Sequence, residues 1–514
     1  MNPSKTTSDA ALPYRKLASG IEGLDSIGQG GLIQGRTTLV AGTSGSGKTV
    51  LAVQFLHEGM TNFDEPGILV TCEEPRENLQ RCFSSFGWDL RGLEASGKLA
   101  IIDLTEDPMN PVHIVDDHYD FGPVSAMLEH YAKKTGAKRV AFDSIGSLFS
   151  MYPTAGQVRR ELIKVIARLD RLDITTLMTI ERTREYGPVA RFDVEEFAAD
   201  GVILLRNAIT NQKRHRTIEI LKYRGATHHA GEFPFTITGE SGFEVLPLAS
   251  AKLNMRSSDK RISTGNASLD AMCGGGMFTD SITLLSGATG TGKTLVSTTF
   301  ADEGAKRGDR VLYFGFEESR DQLVRNAAGW GLDFQGWEES GLLRMTCEYP
   351  EAKGLEDHLV SMRTEMEEFK PQRVVVDSLS ALERVDNAKS FREFIIALTA
   401  YAKAHEIPTL FTAVTASLMG GTSVTEAHIS TLTDMIILMR YAEVFGEMRR
   451  AVNVLKMRGS PHDNRIFQYA IDDGGIAIGE PFRNVSGILS GNTSVQPVHD
   501  APPQDPFDTI YQDQ

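Results

Sequence analysis

The sequence predicts an α/β protein made of two tandem P-loop domains, each a mostly parallel sheet flanked by helices, followed by a disordered C-terminal tail. Three observations predict it. Gly42-Thr43-Ser44-Gly45-Ser46-Gly47-Lys48-Thr49 fits the G-x-x-x-x-G-K-[ST] template, and Gly287-Ala288-Thr289-Gly290-Thr291-Gly292-Lys293-Thr294 fits it again. Apolar runs, Thr38–Ala41 and Ile282–Leu285, lead into the two motifs, and Val50, Leu51, Val53, Phe55 and Leu56 continue the first as a helix. Other landmarks recur in the same order. Leu24-Asp25 and Leu269-Asp270 are offset by 245, as are Lys48 and Lys293; Glu73-Glu74 and Glu317-Glu318 are offset by 244. Asp143-Ser144 and Asp377-Ser378 are offset by 234, as are Lys222-Tyr223-Arg224-Gly225 and Lys456-Met457-Arg458-Gly459. One domain is written twice.

Taken in order, residues 1–13 form a polar, flexible N-terminus with no apolar core of a secretory signal. The first domain spans 14–248. Its strands are expected at Thr38–Ala41, Gly67–Thr71, Leu99–Asp103, Arg139–Asp143, Thr175–Ile180 and Val202–Leu205, apolar on both faces and separated by helical patterns. A closing antiparallel hairpin runs from Thr217–Leu221 to Phe235–Ile237. The offset falls from 244 to 234 after the Glu pair, which places an insertion in the first copy, and Asp107 to Asp120 reads as a surface loop. Residues 249–260 are a linker, 261–484 the second domain, and 485–514 a Pro-rich, acidic, flexible tail. Its isolated Phe507, Ile510 and Tyr511 read as a docking motif or as solvated positions.

Composition narrows the class. The chain of 514 residues has a net charge of −15, which argues against a broad nucleic-acid surface. Cys72, Cys82, Cys273 and Cys347 form no C-x-x-C pair, so neither a zinc site nor a disulfide framework is expected. Reduced thiols and the lack of a roughly 20-residue apolar run point to a cytoplasmic protein off the membrane.

The chemistry lies at strand ends. Glycines in the two loops let backbone N–H groups close on phosphates, Lys48 and Lys293 reach the β/γ-phosphates, and Thr49 and Thr294 can ligate Mg²⁺. Nucleotide contacts are therefore expected from Gly45, Ser46, Gly47, Lys48 and Thr49, and from Thr289, Gly290, Thr291, Gly292, Lys293 and Thr294. Glu73-Glu74 and Glu317-Glu318 follow the second core strand of each copy, where open α/β sheets bind ligands. A carboxylate there can orient or deprotonate a nucleophile, and all four are catalytic candidates. Val140–Asp143 and Val374–Asp377 are apolar runs capped by Asp, so Asp143 and Asp377 would hold the metal opposite the threonines. Lys222 and Arg224, and Lys456 and Arg458, project in pairs from one face of a strand. They either supply charge to a triphosphate on a neighbouring subunit or form a solvated basic face.

From Tyr14 to Arg483 the chain resembles the KaiC family, the circadian-clock ATPases and autokinases of the RecA-like superfamily. The resemblance rests on Ile180-Glu181-Arg182, Glu185–Pro188, Leu221–Gly225, Gly287–Thr294, Glu317–Arg320, Asp377–Leu382 and Gly446–Met448. It implies two RecA-like domains and a homohexamer of two stacked rings, with ATP between subunits. Slow hydrolysis in the N-terminal ring would use Glu73 as base. In the C-terminal ring Glu317 would take the proton from a hydroxyl and also join the Mg²⁺ ligands. Thr425-Glu426-Ala427-His428-Ile429-Ser430-Thr431 matches the family's phosphorylated motif, so Ser430 and Thr431 are the implied acceptors. From the residues alone that pair could equally be turn or helix polar positions.

Further nucleotide contacts implied are Ser85, Lys222, Tyr223, Arg224 and His228 in the first copy. In the second they are Trp330, Arg450, Lys456, Met457, Arg458 and His462, and Arg384, near the second-ring phosphates, is a further catalytic candidate that the resemblance implies. Asn464 stands where the family has Lys. A KaiB-like partner on the N-terminal ring fits the resemblance. KaiA dependence is not carried over, because the tail lacks the longer, charged, helix-compatible end of KaiA-binding members. Two other classes remain to be weighed: a RecA-like DNA-dependent ATPase, and a scaffold that uses ATP only to assemble.

Overall fold

The computed structural model describes residues 15–105, 114–115, 118–119, 122–149, 154–187, 198–210, 213–239, 241–246, 258–415, 429–483, 485–489 and 494–495. The chain divides between Ala251 and Lys252 into two compact units.

In the first unit the strands are β1 (Thr37–Gly42), β2 (Gly67–Thr71), β3 (Leu99–Asp103), β4 (Arg139–Asp143), β5 (Thr175–Glu181), β6 (Gly201–Thr210), β7 (Lys213–Tyr223), β8 (Glu232–Thr238) and β9 (Gly242–Val245). They form one sheet in the order β3-β2-β4-β5-β1-β6-β7-β8-β9. The pairs from β3 through β6 are parallel, and β6-β7, β7-β8 and β8-β9 are antiparallel. All residues of β1, β2 and β4 are buried, as expected of strands covered on both faces. One core packs helix α1 (Lys48–Asn62) against the sheet through Leu51, Phe55 and Leu56, and another packs Leu128, Leu162 and Val165 on the opposite face.

The second unit repeats this arrangement. Its strands are β10 (Ile282–Gly287), β11 (Val311–Gly315), β12 (Leu343–Cys347), β13 (Arg373–Asp377), β14 (Thr409–Val414), β15 (Met435–Val444), β16 (Glu447–Met457), β17 (Phe467–Asp472) and β18 (Gly475–Pro481). The order is β12-β11-β13-β14-β10-β15-β16-β17-β18, the same series with nine added to each label. Helix α2 (Lys293–Lys306) takes the place of α1.

A buried arginine anchors the first residue of the Asp-capped strand in each copy. Arg139 is 1% exposed; it donates to the Ser19, Phe55 and Ala18 carbonyls at 3.0, 2.9 and 2.8 Å and to Glu65 at 2.7 Å. Arg373 donates to Asp309 at 2.9 Å and to the Ser263 carbonyl at 2.9 Å. The helix glycine above each makes the room: a Cβ on Gly59 would lie 2.4 Å from Arg139 Cδ, and one on Gly304 2.7 Å from Arg373 Cδ.

Two expectations need adjustment. The packed chain continues past residue 484. Val485–Ser486 pairs with Ser494–Val495, and Ile488 is buried beside Ala442, Val444 and Ala451, because an apolar side chain so close to the sheet finds a core to join. The first-copy insertion holds a short antiparallel pair, Ile114–Val115 with His118–Tyr119. The rest of Asp107–Asp120, the N-terminus, residues 249–257 of the linker, Thr425–His428 and Phe507–Tyr511 lie outside the described residues.

Candidate nucleotide sites

Each glycine loop joins a buried strand to a helix N-terminus. Gly45 and Gly47 have φ of +73° and +91°, and Gly290 and Gly292 have +80° and +95°, a left-handed region suited to glycine. Alternation of this kind turns successive N–H groups into one anion-binding concavity. Gly47 is also pressed against the closing hairpin: a Cβ there would sit 2.5 Å from Ile237 Cδ1, and one on Gly292 2.8 Å from Ile471 Cδ1.

The lysines are drawn into the loops. Lys48 Nζ donates to the Thr43 carbonyl at 2.8 Å, and Lys293 Nζ to those of Gly287 and Ala288 at 2.9 and 3.0 Å. Burial pushes both ammonium groups below their ordinary range, and nearby carboxylates pull the other way. For Lys48 these are Glu181, Asp143, Glu73 and Glu185; for Lys293 they are Asp377 and Glu317. The donor set of each loop suits a polyphosphate.

The carboxylates sort by partner. Ser144 Oγ donates to Glu73 Oε1 at 2.6 Å, and Ser378 Oγ to Glu317 Oε1 at 2.7 Å. The Asp143-Ser144 and Asp377-Ser378 peptide bonds are both cis. Glu74 and Glu318 are not brought to these serines. Glu318 accepts from Asn326 Nδ2 at 2.9 Å on the following helix, and burial raises its carboxyl above the usual range. Geometry therefore separates the members of each pair that the sequence leaves equivalent.

The metal candidates differ between copies. Asp143 accepts from Thr179 at 2.5 Å, and the Thr49 hydroxyl is among the groups that hold its carboxyl down. Burial, foremost, raises the Asp143 carboxyl. A divalent cation fits between such a hydroxyl and carboxylate, and would neutralise phosphate charge there. Asp377 accepts from Thr412, the counterpart of Thr179, and in addition from Tyr313 at 2.8 Å and from Ser297 at 3.5 Å. Tyr313 is fully buried, and burial drives its phenol well above its ordinary value, so it remains a donor to Asp377. Its first-copy counterpart by the 244 offset is Leu69.

The first copy also holds a clamp that joins segments far apart in the sequence. Thr43 Oγ1 donates to Glu185 Oε1 at 2.5 Å, the Asn207 amide donates to Glu185 Oε2 at 2.8 Å, and Asn207 Nδ2 donates to the Gly45 carbonyl at 3.3 Å. Together they tie the glycine loop to the segment after β5, beside a cleft of about 1040 Å³ that Glu73, Arg182 and Arg214 also line. In the second copy Ala288 occupies the Thr43 position and cannot make the bond.

Strand register locates the basic residues. In the first unit Thr38 pairs with Gly201 and Gly42 with Leu205, while Gly201 pairs with Tyr223. Tyr223 thus lies level with the start of β1, four residues or about 13 Å from its own glycine loop. In the second unit Thr283 pairs with Met435, Gly287 with Met439, and Met435 with Met457. Lys222, Arg224, Lys456 and Arg458 therefore stand at the far end of the sheet from the loop of their own copy. Arg450 pairs with Tyr441 and lies near its own loop, where a Cβ on Gly290 would come 2.9 Å from the Tyr441 hydroxyl.

The Tyr223 ring and Met457 side chain are buried, so a nucleotide can meet only their main chains. Tyr223 packs edge-on against His228 at 5.5 Å. Ser85 caps the end of a helix, its Oγ donating to the Cys82 carbonyl at 2.6 Å. Trp330 caps the matching helix and lines a cavity of about 250 Å³. Arg384 is exposed at the end of the helix after Ser378, His462 is half-buried, and Asn464 is exposed.

Ser430 is half-buried and Thr431 exposed, in a turn that enters β15 at the same far end. No helix among the described residues is long and apolar enough to cross a membrane.

Comparison with known proteins gives consistent results. The KaiC ATPase family description matches residues 17–250 and again 262–482. A circadian clock protein KaiC3 of Synechocystis is 52% identical over 476 residues, 93% of this chain and 94% of its own length. Circadian clock oscillator proteins KaiC of Picosynechococcus and of Prochlorococcus marinus are 51% and 49% identical, covering 95% and 96% of this chain and 94% and 98% of theirs.

Proposed function

The chain belongs to the KaiC ATPase family, and from that premise we propose that it is a homohexameric clock ATPase and Ser/Thr autokinase and autophosphatase. Its two copies divide the work. In the first, Glu73, steadied by Ser144, takes a proton from water as the water attacks the γ-phosphorus of Mg-ATP; the bond to the ADP oxygen breaks and phosphate leaves. In the second, a Ser430 or Thr431 hydroxyl attacks the γ-phosphorus, Glu317 takes its proton, and ADP leaves. The Thr49–Asp143 pair would hold Mg²⁺ in the first site, and Thr294, Asp377 and Glu317 would hold it in the second. A KaiB-like protein on the first ring is the candidate partner.

One observation carries the reading. The acceptor turn, Lys456 and Arg458 lie about 13 Å along the strand from their own glycine loop, which suits a phosphate supplied by another copy. The DNA-dependent alternative is disfavoured, because the relatives are clock proteins and the net charge of −15 opposes a broad phosphate surface. The pure scaffold leaves the repeated Glu–Ser pairs without a purpose. Incubation with [γ-³²P]ATP should label Ser430 and Thr431. Glu317→Gln should lose the label, and Glu73→Gln should lose mainly hydrolysis. A Ser430→Ala/Thr431→Ala protein that labels as well as the parent would defeat the assignment.

A further inference from the structure

The acceptor turn is fastened to the basic strand. Lys456 Nζ donates to the Ser430 and Thr433 carbonyl oxygens at 2.6 and 2.7 Å. Arg458 Nη2 donates to the Thr431 carbonyl at 2.9 Å, and its Nη1 lies 3.5 Å from Asp434. Asp434 also takes Lys403 at 2.8 Å and the backbone amide of Ile282, the first residue of β10, at 3.0 Å. Both cations therefore grip the turn through its main-chain carbonyls rather than through the acceptor hydroxyls. In the first unit Lys222 donates to the Ala199 carbonyl at 2.9 Å, the counterpart of the Thr433 contact, and the counterparts of Ser430 and Thr431 lie outside the described residues.

An ammonium carries three donors. Two of those on Lys456 go to the turn, which leaves one for a phosphate oxygen. We infer that Lys456 and Arg458 are positioning residues for phosphotransfer: they join the Ser430–Thr431 turn to the strand that meets the neighbouring copy's nucleotide, so that gripping the phosphate and presenting the hydroxyl are one event. The inference rests on the autokinase reading and adds a role that nucleotide contact alone does not require. It also implies a division of labour. Arg458 holds the Thr431 peptide and Lys456 the Ser430 peptide, so each cation biases one acceptor.

The test pairs hydrogen exchange with site-resolved mass spectrometry on the full chain. The Leu432 and Thr433 amides both donate to the Ile429 carbonyl, at 2.9 and 3.2 Å, and report the order of the turn. Without nucleotide, Lys456→Met and Arg458→Gln should each speed exchange of the 429–434 peptide about tenfold. With saturating Mg-ATP, Arg458→Gln should move label from Thr431 towards Ser430 by at least about threefold. Lys456→Met should move it the other way, and Lys456→Arg should restore the parental ratio. If the variants lower both labels in equal proportion while the peptide exchanges at the parental rate, the cations are nucleotide contacts only and the inference falls. A parental protein that labels neither residue instead overturns the autokinase reading and the positioning role together.

Discussion

Replacing Ser144 by Ala isolates what orients the first-site base. Ser144 is 2% exposed, and its Oγ donates to Glu73 Oε1 at 2.6 Å. The substitution removes one oxygen and leaves little void, so its main effect is to free the carboxylate. A hydrogen bond to a charged group contributes roughly 1.5–3 kcal/mol net. Glu73 is exposed, and solvent screening reduces that to about 1–1.5 kcal/mol. If all of it acts in the transition state, kcat for hydrolysis falls about five- to thirteenfold. The assay is steady-state phosphate release by the assembled protein at saturating Mg-ATP. Ser378→Ala serves as the internal comparison: it should slow phosphate arrival on Ser430 and Thr431 and leave most hydrolysis intact. A Ser144→Ala protein of unchanged assembly whose kcat stays within about twofold of the parent would refute the reasoning.

Two further perturbations test the scaffold. Arg139→Met should destabilise the first unit by about 3 kcal/mol, because it orphans three carbonyls and Glu65 in a buried setting. For a unit of this size that lowers its Tm by about 6–12 °C, and a calorimetric shift under about 2 °C would contradict the anchor role. His358 is buried, bonds the Pro350 carbonyl at 2.9 Å, and is held by burial below its ordinary pKa of 6.5. The unfolded chain therefore binds the extra proton first. Stability should be full above about pH 7 and decline as pH falls from 6.5 towards the lower folded value. His358→Gln should flatten that slope in denaturant titrations, and an unchanged slope would assign it to other groups.

Local features carried most of the sequence reading. The glycine loops, the Glu pairs and the Asp-capped strands are contiguous motifs, and repetition at a fixed offset marked them as two copies. What the sequence left obscure depends on contacts between distant segments. Nothing near Thr43 in the chain announces Glu185, and the serine after each Asp gains its role only when the fold brings Glu73 or Glu317 to it. Tyr313 at Asp377 was missed because a tyrosine within an apolar strand reads as core. One signal was available and unused: alternation along a strand turns Tyr223 away from the face of Lys222 and Arg224, which is why its ring is buried. The tail was read from its composition, and Ile488 was overlooked because one apolar residue in a polar stretch carries little weight until a neighbouring core is known.

The proposed autokinase chemistry requires phosphate to pass between copies. Rings mixed from Glu317→Gln subunits, which keep their acceptors, and Ser430→Ala/Thr431→Ala subunits, which keep their base, separate donor from acceptor. Subunit-resolved mass spectrometry after incubation with Mg-ATP should find phosphate on Ser430 and Thr431 of the Glu317→Gln subunits in mixed rings and almost none when either variant is alone. Mixed rings that stay unlabelled, beside parental rings that label fully, would contradict transfer between copies.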